Sequence, residues 1–269
     1  MRSASPITTT GRPGWGGGRV ALRPSRAMAH LSLAAKAEMV LGMLLTARHR
    51  SVRLAATLSV AIVALGVSGG AARNPEASVY LTLIVAGSLA AVAGSRLMAP
   101  GAALSAARYA ARQWWLPPAG RLVGTAVLLV PIVAVCAAVL LGPHADWKAV
   151  TRLGVIAWAY ATATTALVQA ASPFLGASPA GAAVLLLVWT GGVPPSVWQE
   201  LLQGWPLLQR PLVIGWNVLP TAWRAHRGWA GGYASDVAVL AGWVVIGTLV
   251  AAWGASWVSN VTASLRQDR

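Results

Sequence analysis

Apolar residues in this chain gather mostly into blocks of roughly 17 to 24, about the length an α-helix needs to cross the hydrocarbon core of a bilayer. The blocks lie near residues 54–71, 78–95, 122–141, 154–175, 182–193 and 236–257. The expected fold is therefore all-α, a polytopic integral membrane protein with six transmembrane helices. Composition agrees: 57% of the 269 residues are apolar and 10% charged, against about 25% charged in an ordinary soluble domain. The fifth block is the shortest. It breaks at Gly191, Gly192, Pro194 and Pro195, where proline removes a backbone donor and glycine lowers helix propensity, so that helix either ends there or continues kinked.

The charge is lopsided, 21 Lys plus Arg against six acids. The basic residues are spread between the apolar blocks and form no basic-aromatic patch, so membrane topology explains them better than nucleic acid, and no nucleic-acid partner is expected. With the N-terminus in the cytoplasm, fifteen basic residues fall on the inner side and six on the outer. The positive-inside rule then places both termini in the cytoplasm, as an even number of spans requires. Arg48, Arg50, Arg53 and the segment 96–121 flank spans closely and carry most of the weight.

The few reactive residues exclude several classes. The lone Cys136 sits within an apolar block, where it reads as a small buried hydrophobe, and it can form neither an intrachain disulfide nor a thiolate cluster. Glu38, Glu76, Asp146, Glu200, Asp236 and Asp268 fall outside the blocks or at their edges, which disfavours proton- or sodium-coupled carriers that bind ions at the midplane. His30, His49, His144 and His226 also lie between blocks, so no intramembrane haem or metal site is expected, and no cofactor. There is no HExxH and no GxxxxGK[ST] loop, hence no ATPase site of its own. The spelling Gly66-Val67-Ser68-Gly69-Gly70 matches a nucleophile elbow, but it closes an apolar helical block and not a strand.

The segments between blocks have character of their own. Residues 1–28 are rich in Arg, Ser, Pro and Gly and read as a disordered basic cytoplasmic tail; residues 261–269 form the other tail. Over 29–49, Leu33, Ala37, Val40, Leu41, Leu44 and Leu45 recur at helical spacing beside Lys36 and Arg48, as in an interfacial helix; a short buried helix or part of a span is the alternative. Residues 194–235 carry Trp198, Trp205, Trp216, Trp223 and Trp229 among Leu, Pro and Gly. Tryptophan favours the membrane–water boundary, so two short helices near 195–207 and 211–224 are expected to dip into the outer leaflet, with a further pair of spans as the alternative. The small-residue stretch Ala86 to Ser95 suits close helix packing.

Two stretches stand out for function. In the inner segment 96–121, Gln113-Trp114-Trp115 leads into Leu116-Pro117-Pro118-Ala119-Gly120-Arg121-Leu122-Val123-Gly124, a proline-stiffened entry to the third span. In the outer segment, Asn217-Val218-Leu219-Pro220-Thr221-Ala222-Trp223-Arg224 precedes the last span. By pattern alone the first is an amphipathic connector and the second a helix boundary.

Together with an interfacial helix before six spans, both ends inside and a half-inserted outer segment, these stretches resemble the permease subunit of type-2 ATP-binding-cassette (ABC) exporters. The first is similar to that family's Leu-Pro-containing entry to its third span, the second to its Asn-Pro-Leu-Thr-Tyr type segment, with the proline displaced by two positions. The resemblance covers about residues 29–260. It implies a bacterial cytoplasmic (inner) membrane, a dimer of permease copies, contact with membrane lipids and a separate cytoplasmic nucleotide-binding ATPase as energy source. Arg112, Leu116, Pro117 and Arg121 would mark the coupling loop, and Asn217, Pro220 and Arg224 the outer gate. The family commonly carries an acid in the inner loop, whereas residues 96–121 contain none. A non-transporting scaffold subunit of a larger membrane complex is the alternative reading, and a lipid-acting membrane enzyme a remote third.

Overall fold

The computed structural model describes residues 24–70, 74–97, 115–142, 146–231 and 233–267, and every regular element among them is a helix. In chain order these are α1 (Pro24–Arg48), α2 (Arg50–Ser68), α3 (Pro75–Leu97), α4 (Leu116–Leu141), α5 (Trp147–Leu175), α6 (Ala177–Thr190), α7 (Pro195–Leu201), α8 (Pro206–Val218), α9 (Ala222–Ala230) and α10 (Tyr233–Gln267). Five of them, α2, α3, α4, α5 and α10, are long and apolar enough to cross a membrane. The count rises to six if α6 and α7, bent by 94° at their junction, are taken as one broken span.

Helix ends follow local chemistry. His49 sits between α1 and α2 in an extended conformation and caps α2, its Nδ1 accepting from the Ser51 N–H at 3.3 Å. The Asn74 side chain accepts from the Glu76 and Ala77 N–H groups at the start of α3, and Asp146 accepts from the Lys148 N–H at the start of α5. Each satisfies donors that the first turn leaves unpaired. Pro117 and Pro118 lie in the first turn of α4, where a missing N–H is harmless.

The core is centred on α5, which has 72% of its apolar window buried, against 11% for α2. Around α5 pack α3, α4, α6, α9 and α10, while α2 lies at the rim against α3 and α4. Val79, Leu83, Leu89, Leu129, Leu153, Ile156, Tyr160 and Leu240 form the main cluster. The small-residue stretch of α3 behaves as its composition implies: Gly87 lies against the Tyr160 ring and Val188, and Gly94 against Val168. Cys136 is buried in this core. Outward faces of α2 and α10 remain apolar, with Leu54, Leu58, Val60 and Leu65 exposed on one and Val245, Ile246, Leu249 and Trp253 on the other. Such faces suit contact with lipid chains.

The N-terminal helix α1 is laid along α4. Leu33, Val40 and Leu44 are exposed, while Glu38, Gly42 and Thr46 face the crossing. Backbones approach so closely there that a Cβ on Gly124 would come within 2.1 Å of the Met39 carbonyl oxygen, and one on Gly42 within 2.5 Å of the Arg121 carbonyl oxygen. The Thr46 and Thr125 hydroxyls, 3.0 Å apart, close the contact.

The stretch after α6 differs from expectation. The apolar run ends at Thr190, as the Gly-Gly and Pro-Pro pairs imply, but three short helices follow instead of two, over 195–201, 206–218 and 222–230. The third exists because Thr221 caps it, its hydroxyl accepting from the Arg224 N–H at 3.4 Å, and Pro220 breaks the chain before it. Tryptophans stitch the segment together: Trp216 Nε1 donates to the Val193 carbonyl and Trp243 Nε1 to that of Val218. The helix α1 starts at Pro24, inside the stretch read as tail; residues 1–23 and 268–269 lie outside the described residues.

Replacing Gly124 with Ala should force α1 off α4 and destabilise the protein by about 1–3 kcal/mol. A lower midpoint of thermal unfolding in detergent checks it. Gly154→Ala, whose Cβ would meet nothing within 4 Å, should instead stabilise by about 0.5–1 kcal/mol.

Candidate functional site

Two ion-pair clasps tie the non-spanning segments to the bundle. The first lies where the middle of α1 and the end of α3 meet the start of α4, beside the start of α2. Arg121, one turn into α4, donates from Nε to Glu38 Oε2 of α1 at 2.9 Å, with side-chain exposures of 2% and 4%. Its Nη1 donates to the Leu97 carbonyl at the last residue of α3, at 3.1 Å. One guanidinium thus holds three helices, and its charge sits against the negative C-terminal end of α3. Next to it, Arg96 Nε donates to Ser51 Oγ at 3.1 Å, fastening α3 to the start of α2. Burial lowers the pKa of His49 in this group, and the charge of Arg96 lowers it further.

Of the four residues assigned to the coupling loop, Leu116, Pro117 and Arg121 are buried at the start of α4. Arg112 lies outside the described residues. The carboxylate that meets Arg121 comes from α1, at Glu38. Sequence reasoning passed over Glu38 because it reads as one polar residue on an interfacial helix; the signal available was its rarity, one of six acids in the chain.

The second clasp joins α8 and α9 to the start of α10. Asp236, 1% exposed, accepts from Arg224 Nη1 at 2.7 Å and from Arg227 through Nε at 3.0 Å and Nη2 at 2.7 Å. A carboxylate in the first turn of α10 is also favoured by the helix dipole. Arg224 further donates to the Asn217 carbonyl, and Arg152 of α5 donates from Nη2 to the Gly228 carbonyl at 3.2 Å. The Trp223 N–H donates to the Gly191 carbonyl at 2.7 Å, so α9 folds back onto the break after α6. The structure therefore brings Asn217 and Arg224 together, with Pro220 buried between them. Arg227, three positions after Arg224 on α9, and Asp236, brought to both arginines from beyond the turn at Gly231, complete the group and were not singled out by sequence.

Beside this clasp the His226 ring stacks on Tyr80 of α3, centroids 4.2 Å apart. Burial holds the His226 pKa below its usual value, with Glu76 opposing the shift. Among the described residues no three His, Cys, Asp or Glu gather in a metal-binding group. In each clasp a buried arginine meets both a carboxylate and a backbone carbonyl. No family model, curated protein or solved structure matches the chain.

Glu38→Gln should leave Arg121 buried without its counter-charge and destabilise by about 3–5 kcal/mol, whereas Glu38→Leu combined with Arg121→Met should recover most of that loss, read from thermal unfolding of the variants and their double-mutant cycle. The depressed pKa of His226 means that the unfolded chain binds more protons than the folded one between the folded value and 6.5. Its contribution is thus complete above that window and falls as pH drops through it. Unfolding midpoints should decline on acidification below pH 6.5, and less so in His226→Phe, which keeps the ring stack.

Proposed function

We propose that this chain is the membrane-spanning permease subunit of an ABC exporter, working as a dimer with the export path between two copies and driven by a separate cytoplasmic ATPase. On this reading both termini and the segment 98–114 face the cytoplasm, α1 lies at the inner interface, and α7 to α9 form a half-inserted outer segment. The observation that supports it is the Arg121 joint. A partner pressing on the inner segment acts on a chain whose two ends, Leu97 and Leu116, are locked to each other and to α1 through one guanidinium. Such a push moves α1, α3 and α4 as one body instead of bending a loop.

The roles are positional, and no residue performs covalent chemistry. Leu116, Pro117 and Arg121 seat the coupling segment. Asn217, Pro220 and Arg224 hold the outer segment against α10, where Asp236 pairs with Arg224. ATPase states would bias the dimer between inward- and outward-open forms through differential contact with the inner segment. The resident membrane is a bacterial cytoplasmic membrane on this reading.

Purification of the full chain from its native membrane in mild detergent should bring a Walker-motif ATPase with it, and vesicles containing both should show ATP-dependent efflux. Absence of both results would leave a scaffold subunit. Pro117→Ala should reduce ATP-driven export while leaving membrane insertion intact, and unchanged export would remove the coupling role. Cysteine at position 108 should label only from the cytoplasm and cysteine at 210 only from outside; the reverse pattern would overturn the orientation.

A further inference from the structure

At its N-terminal end, α5 carries a second feature, which shares Arg152 with the second clasp. The helix has 29 residues, about 43 Å in length, which exceeds the ~30 Å hydrocarbon core of a bilayer. Its first turns hold Lys148, Thr151 and Arg152, so this end is the one that reaches the headgroup layer. An open groove of about 600 Å³ runs along it, lined by Trp147, Lys148, Thr151, Arg152 and Val155. Lys148 and Arg152 are one helical turn apart and share a face. Below them the exposed stripe continues through Val155 to Trp158, whose Nε1 donates to the Ala126 carbonyl at 2.9 Å and so holds the ring against α4.

Two cations, Lys148 and Arg152, meet one carboxylate, Asp146, at this end of the helix. Asp146 turns its carboxylate to the Lys148 backbone N–H as a helix cap, so backbone donors are not what the groove offers. Arg152 reaches Gly228, placing its guanidinium next to the second clasp, where Arg224 and Arg227 share the single carboxylate of Asp236. Two cations at headgroup depth above an apolar stripe complement one kind of molecule: an amphiphile with an anionic head and an acyl tail. The arrangement is what snorkelling basic residues and interfacial tryptophan produce, with polar ends at the boundary and apolar surface below.

We infer that the groove on α5 is a binding site for an anionic phospholipid, its phosphate held by Lys148 and Arg152 under Trp147 and one acyl chain lying on Val155 and Trp158. The site requires only that α5 crosses a bilayer and does not depend on the transport reading. A lipid seated there would also brace α5 beside the second clasp, since Arg152 contacts both.

The test is native mass spectrometry of the full chain released from mixed micelles of phosphatidylglycerol and phosphatidylcholine with matched acyl chains. Wild-type protein should retain phosphatidylglycerol in preference. Lys148→Gln, at an exposed position, should lower that preference about fivefold at an unchanged unfolding midpoint, and adding Arg152→Gln should lower it again by a similar factor. Arg210→Gln, a basic residue elsewhere in the chain, should leave it unchanged, and excess inorganic phosphate should not displace the lipid. Equal retention of the two lipids by wild type, undiminished preference in the double variant, or displacement by inorganic phosphate, which would assign the groove to a free anion, would each overturn the proposal.

Discussion

The architecture depends on burying a charge pair where a bundle of apolar helices has no other way to fix register. Apolar side chains against apolar side chains, with lipid outside, supply little that distinguishes one rotation of a helix from another. Arg121 and Glu38 do, because a displaced partner leaves a desolvated charge in a low-dielectric site. Glycine at positions 42, 120 and 124 lets the backbones come close enough for the pair to form. The ion pair and the glycine crossing are thus one device, and α1 is held to α4 by it.

The clasp around Asp236 applies the same physics to a less regular piece of chain. Residues 191–231 are rich in Pro, Gly and Trp and cannot make one long helix. They make three short ones, whose unpaired carbonyls are taken up by Trp216, Trp243, Arg152 and Arg224. Asp236 then gathers Arg224 and Arg227 at the first turn of α10. Broken backbone leaves carbonyls that must find partners, and here basic and indole side chains supply them.

Much of the helical architecture is legible in the sequence because lipid imposes a length. Blocks near 78–95, 122–141 and 154–175 lie within α3, α4 and α5, and the block near 236–257 lies within α10, since a run of apolar residues has no competing structure available. The break after Thr190 is legible for the same reason that Gly and Pro are helix breakers. The helix α9 was not, because its start depends on a single capping hydroxyl at Thr221. Arg121 and Arg224 stand out in the sequence as basic residues beside proline turns, whereas their carboxylate partners lie 83 positions away in one case and across a turn in the other.

By itself the sequence determined that the chain is helical and apolar enough for membrane spans, where those helices break, and that its acids lie outside the apolar blocks or at their edges, because these follow from run length, proline and the cost of ionised groups in hydrocarbon. Only tertiary structure decided which cation meets which carboxylate, that α1 lies in the glycine notch of α4, and that α5 occupies the centre while α2 stays at the rim. Those choices rest on approach distances between backbones and on the direction of individual side chains, and hydropathy carries neither.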